Sequence, residues 1–82
     1  MSRRLLGGLL LLAATLLAQS PEDQLESAVK LQRSGDLEGA IRGYEAYLKT
    51  HPDRVEALSN LGAAYAHQGR YGDAIELYAR AL

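Results

Sequence analysis

Leu58-Ser59-Asn60-Leu61-Gly62-Ala63-Ala64-Tyr65-Ala66-His67-Gln68-Gly69-Arg70-Tyr71-Gly72-Asp73-Ala74-Ile75-Glu76-Leu77-Tyr78 is the stretch that decides the fold. Its large apolar residues recur three and four positions apart on both sides of Gln68-Gly69-Arg70, first Leu58, Leu61 and Tyr65, then Tyr71, Ala74, Ile75 and Tyr78. That is the period of two amphipathic helices joined by a glycine turn. The second helix also has an echo 34 residues earlier: Gly35, Ala40, Ile41, Tyr44 and Leu48 recur as Gly69, Ala74, Ile75, Tyr78 and Leu82, and Glu22 recurs as Glu56. Six of the 28 aligned pairs, 21–48 against 55–82, are identical, and they fall at glycine, small and large apolar positions. Such a period marks a stacked helical repeat, whose units build a surface that holds other polypeptides.

The second copy reads Leu58-x2-Leu61-Gly62-x2-Tyr65, then Gly69, Tyr71, Ala74-x3-Tyr78 and Ala81-Leu82. This pattern closely resembles the tetratricopeptide repeat family, with Leu58 where Trp is common and Tyr78 where Phe is common. The first copy keeps the second-helix half of the pattern in Gly35, Leu37, Ala40-x3-Tyr44, Leu48 and Pro52. Its first helix departs from it, with Gln24, Ser27, Ala28 and Leu31 where Leu, Leu, Gly and Tyr stand 34 residues later. The resemblance implies an all-α fold of helix-turn-helix repeats, four antiparallel helices in two units. The first unit is expected over 19–54, with a degenerate first helix, and the second over 55–82, without its closing turn. Gly35, Ala40, Tyr44, Leu61, Gly62, Tyr65, Gly69, Tyr71, Ala74 and Tyr78 are the expected packing residues, and Tyr47, which replaces a usual Ala, is expected to be partly exposed.

Local signals place the helix ends. Ser20-Pro21-Glu22-Asp23 combines a capping hydroxyl, a proline preset for the first turn and two acids at the positive end of the dipole. The first helix is predicted from Pro21 to about Ser34, where Gly35 supplies a left-handed stop. Asp36 is predicted to cap a second helix with the apolar face Leu37, Ala40, Ile41, Tyr44 and Leu48, closed by Thr50-His51-Pro52. Asp53-x-x-Glu56 is predicted to open the third helix as a capping box. Gly62 in mid-helix predicts close approach of the partner helix, since an exposed glycine there costs about 1 kcal/mol against alanine. The fourth helix carries Tyr71, Ile75, Tyr78 and Leu82, an apolar stripe broader than one preceding helix covers, open to the next unit or to self-association.

The chain begins Met1-Ser2-Arg3-Arg4, runs without charge over 5–18, mostly as leucine, and turns polar at Gln19. A basic start, an apolar run and a small exit residue make a secretory signal, predicted over 1–18 with cleavage after Ala18. The run is shorter than the roughly 20 apolar residues of a membrane span, and an uncleaved anchor is the alternative. The chain has no cysteine, which excludes a lipoprotein anchor and disulfide staples alike. The expected location is therefore periplasmic or extracellular. Without Arg3 and Arg4, seven of the nine Lys and Arg face ten Asp and Glu, and the cations are scattered among acids. That pattern is a solvated surface and offers nucleic acid no basic patch.

No catalytic, metal-binding or cofactor-binding residues are predicted, and the expected role is a non-enzymatic scaffold. His51 precedes a proline and His67 lies on the third helix, with neither a cysteine nor a carboxylate at helical ligand spacing beside them. The glycines match repeat positions or lie in the signal, and none forms a phosphate loop. In the family, ligands lie in a concave groove lined by the first helix of each unit. Carried over, this implies a peptide or protein partner against Leu25, Val29, Gln32 and Arg33 of the first unit and Glu56, Ser59, Asn60, Ala63 and His67 of the second. Asn60 matches an asparagine with which some members grip a terminal carboxylate, but Leu25 and Val29 stand where their Lys and Asn would be. The alternatives are a docking module at the front of a longer enzyme and a membrane-anchored envelope assembly factor.

Overall fold

The computed structural model describes residues 20–82, and within them the chain forms four helices in order: α1 Pro21–Arg33, α2 Leu37–Thr50, α3 Val55–His67 and α4 Tyr71–Ala81. Each packs on the next along the chain, and α1 also meets α3. The predicted signal lies outside the described residues. None of the helices among the described residues is long and apolar enough to cross a membrane.

The joints within the two helix pairs are built alike. At the first, Gly35 has φ +91°, its N–H donates to the Gln32 carbonyl at 3.1 Å, and the Asp36 N–H donates to Leu31 at 2.9 Å. At the second, Gly69 has φ +81°, with Gly69 N–H to Ala66 at 3.0 Å and Arg70 N–H to Tyr65 at 2.8 Å. Both are Schellman turns, in which a left-handed residue lets the chain satisfy the last free carbonyls of a helix. A side chain at either glycine would put Cβ against the following carbonyl, at a cost of about 1–2 kcal/mol.

Starts differ more than stops. Ser20 Oγ accepts from the Asp23 N–H at 3.1 Å and caps α1, with Pro21 in the first turn. Asp36 Oδ1 accepts from the Gly39 N–H at 2.9 Å and caps α2. The capping box expected at Asp53 is not formed: α3 starts after Arg54, no side chain caps it, and Glu56 instead faces the Arg54 guanidinium at 3.6 Å. Aspartate one residue before the cap cannot reach the free amides, and an ion pair takes the glutamate. Where α2 has Asp36, α4 has Arg70, whose guanidinium lies 4.1 Å from the Tyr65 ring centroid and bonds Asp73 at 3.0 Å.

The core is continuous and unevenly shared. α1 contributes Leu25 and Ala28, and α4 contributes Ala74 and Leu77. The middle helices contribute Ala40, Ile41, Tyr44, Tyr47 and Leu48 from α2 and Ala57, Leu58, Leu61, Ala64 and Tyr65 from α3. Middle helices have a neighbour on each side and bury two faces, whereas end helices bury one. Among the described residues, close approach of one helix to another uses glycine twice. A Cβ on Gly62 would lie 2.8 Å from the Tyr78 ring, as its mid-helix position predicts, and one on Gly43 would lie 2.9 Å from Ala28 Cβ.

Two tyrosines depart from expectation. Tyr71 is 65% exposed instead of packed, because its face of α4 has no neighbouring helix among the described residues. Tyr47 is buried at 1%, its ring stacked on His51 with centroids 4.7 Å apart. Tyr78 stands between these cases, one side of its ring on Gly62 and the rest in solvent.

Candidate peptide-binding groove

The first helices of the two pairs, α1 and α3, lie beside one another and present two shallow clefts. One, of about 310 Å³, brings together Leu25, Val29 and Arg33 of α1 with Glu56 of α3, and adds Glu22 and Glu26. The other, of about 230 Å³, brings Gln32 together with Ala63 and His67, closed below by Gly35 and Leu37. Ser59 and Asn60 line neither cleft and are half-buried in α3. Leu25, 3% exposed, serves the core more than the groove.

Polar side chains hold this face in place. Arg54 reaches from the start of α3 to Glu22 of α1, Nη1 to Oε1 at 2.9 Å and Nη2 to Oε2 at 3.3 Å, and also pairs with Glu56 at 3.6 Å. The guanidinium fork matches the carboxylate with two parallel hydrogen bonds, which fixes the spacing of α1 and α3 at that end. Further along, Gln32 Nε2 donates to the Asn60 carbonyl at 3.3 Å and Gln32 Oε1 accepts from the Tyr44 hydroxyl at 2.6 Å. Gln32 therefore spends its side-chain amide joining α1 to α2 and, through the Asn60 backbone, to α3. Arg33, Ala63 and His67 stay exposed, and half-buried Val29 lines the first cleft beside Arg33 and Glu56. Glu26 is not among the expected groove residues, because its place in the cleft depends on how α3 crosses α1, and local spacing does not encode that crossing; Arg54 lies outside the lining and ties Glu22 to Glu56.

A larger recess, about 370 Å³, lies elsewhere, between α2 and α4 on the back of α3. Its floor is Leu48, Leu61 and Leu77, and its rim carries Glu45, Lys49, Glu76 and Arg80. The Tyr65 hydroxyl donates to Glu45 across it, and Arg80 Nη2 donates to the Pro52 carbonyl at 3.3 Å. Burial first, then the hydrogen bond and negative charge of Glu45, push the Tyr65 pKa up to about 12.

Comparison with known proteins agrees with this architecture. The family model for the tetratricopeptide repeat matches residues 25–82. The chain is also similar to Protein CTR9 homolog of Arabidopsis thaliana, 33% identical over 52 residues. That match covers 63% of this chain and 5% of the plant protein, so the chain spans about one twentieth of that relative's length. Repeats of this kind generally mediate protein–protein interaction and are typically non-catalytic scaffolds. The two glycine-closed helix pairs and the match across 25–82 agree, and the chain belongs to the tetratricopeptide repeat family.

Proposed function

We propose that the chain is a scaffold that holds an extended peptide segment of a protein partner in the groove between α1 and α3. The observation that carries this is the division of labour on that face: Arg54 and Gln32 hold the two helices, with Glu22, Glu56 and the Asn60 carbonyl as their partners, while Arg33, Ala63 and His67 stay exposed beside half-buried Val29. A preset surface loses little freedom on binding, which favours recognition of a flexible segment. Arg33 and His67 suit acidic or carbonyl groups.

The N-terminal sequence supports export, with the scaffold working in the periplasm or outside the cell. A second reading, a docking module within a longer enzyme or a membrane-anchored envelope assembly factor, draws on the small share of its relative that the chain spans.

The groove is tested by selecting peptides from a random display library on the full chain and measuring their affinity for Ala63→Arg. Ala63 is exposed, so this variant keeps its thermal unfolding midpoint, and the added side chain blocks the groove. Loss of binding supports the reading. Unchanged affinity in both Ala63→Arg and Val29→Arg overturns it.

A further inference from the structure

Four charges around the recess between α2 and α4, those of Glu45, Lys49, Glu76 and Arg80, have no ion-pair partner among the described residues. Glu45 and Lys49 stand four apart on α2, as do Glu76 and Arg80 on α4, a spacing at which a glutamate and the cation after it ordinarily pair across one helical turn. Neither pair forms. Glu45 instead accepts from the Tyr65 hydroxyl, and Arg80 Nη2 donates to the Pro52 carbonyl at 3.3 Å, beyond the last turn of α2. Both of these partners are neutral, so the charges stay unanswered. Asp73, also on the rim, differs: Arg70 matches it at 3.0 Å.

Short turns, 51–54 and 68–70, join α3 to both walls, so α2 and α4 run the same way and in each the acid precedes the base. The recess therefore has an acidic end beside Tyr65 and a basic end toward Pro52, about 6 Å apart along the helices. We propose that it binds a free apolar peptide of two or three residues, its ammonium between Glu45 and Glu76 and its carboxylate between Lys49 and Arg80. Extended, such a peptide spans about 7–10 Å, which carries one terminus to each end. A ligand charged at one end only would leave the other two side chains unanswered.

Size and floor agree with a small ligand. About 370 Å³ is at the low end of ligand pockets, which run from roughly 300 to 1,000 Å³. The floor leucines, Leu48, Leu61 and Leu77, are 9%, 3% and 6% exposed, enough to meet one aliphatic side chain, so selection rests on the charged termini. The site does not depend on the groove between α1 and α3: α3 gives Leu61 and Tyr65 to the recess and Ala63 and His67 to the groove. Nor does it use the outer stripe of α4, since none of Tyr71, Ile75, Tyr78 and Leu82 lines it.

The test titrates alanyl-leucyl-alanine into the full chain, followed by NMR of the backbone amides, beside the same peptide acetylated at its amine or amidated at its carboxylate. Saturable binding that shifts α2 and α4 signals around the recess is expected, with each blocked form weaker by about threefold or more, the factor an exposed ion pair supplies. Glu76→Gln is expected to erase most of the effect of acetylation and Lys49→Gln most of that of amidation, with circular dichroism unchanged because both positions are exposed. Ala63→Arg, which blocks the groove, leaves the tripeptide affinity as it is. Absence of saturable binding, blocked peptides that bind as well as the free one, or affinity lost in Ala63→Arg and untouched by Glu76→Gln and Lys49→Gln overturns the proposal. A loss on amidation alone overturns it as well, and assigns the recess to the C-terminal carboxylate of a larger chain.

Discussion

The Tyr44 hydroxyl donates to Gln32 Oε1 at 2.6 Å, inside a core where Tyr44 itself is 0% exposed. The same glutamine donates to the Asn60 carbonyl, so one amide of α1 holds α2 and α3 together. Burial keeps the Tyr44 pKa above its ordinary value, against the lowering effect of the nearby Asn60 side chain. Tyr44→Phe is expected to cost about 1–2 kcal/mol, the penalty for leaving a partly buried acceptor unmatched. Urea denaturation checks it, as a lower midpoint with unchanged slope. Adding Gln32→Leu is expected to cost less than the sum of the two single changes.

Three glycines, each changed to alanine, are expected to behave differently on thermal unfolding. Gly43→Ala drives a Cβ to 2.9 Å from Ala28 Cβ, which is fixed to the α1 backbone, so it is destabilising by about 1–3 kcal/mol. Gly62→Ala meets the Tyr78 ring at 2.8 Å, but that ring turns on its own bonds and helix propensity returns about 1 kcal/mol. Its net effect is smaller than that of Gly43→Ala. Gly72→Ala meets nothing within 4 Å and is neutral or stabilising by up to about 1 kcal/mol. Equal midpoints for the three variants would contradict this packing.

Alkaline pH is expected to weaken the fold through Tyr65. Its pKa is raised from 10.0 to about 12, so the folded chain holds the proton more tightly than the unfolded one. The resulting stability is fully present below pH 10 and is lost as the pH rises toward 12. Tyr65→Phe removes this contribution and flattens the decline over that interval. Unfolding midpoints measured at stepped pH, alongside tyrosinate absorbance, read both effects.

Mass spectrometry of the secreted or periplasmic fraction is expected to find a chain that begins at or near Gln19. An intact Met1 or Ser2 terminus in the membrane fraction would favour the uncleaved anchor.

Local chemistry was legible in the sequence where one residue decides the matter. Pro21, Gly35, Asp36 and Gly69 mark helix ends because each supplies something the backbone needs at that point, and the four helices follow from them. Leu77 and Tyr47 were not legible. The face of α4 was read by register with α2, where Leu77 coincides with Gly43, so its apolar role had no counterpart to reveal it. Tyr47 coincides with Ala81, and its ring is buried in the core and stacked on His51, neither of which spacing along α2 encodes. In the candidate groove, Arg33, Ala63 and His67 stay exposed where the family pattern implies contact with a ligand. The bonds of Gln32 and the bridge from Arg54 to Glu22 arise only when α1 and α3 come together, and spacing along one helix carries no trace of them.

The two close contacts within the helix pairs place glycine on opposite sides. In the first pair it is Gly43 on α2, beside Ala28; in the second it is Gly62 on α3, with Leu77 where Gly43 stood. A recombination that joined α1 to α4 would set leucine against Ala28 in a gap with no room for a methyl group. The reciprocal joining of α3 to α2 would bring two glycines together and leave a void. Each hairpin is thus a matched couple, and exchanging whole hairpins keeps a fit that exchanging single helices destroys.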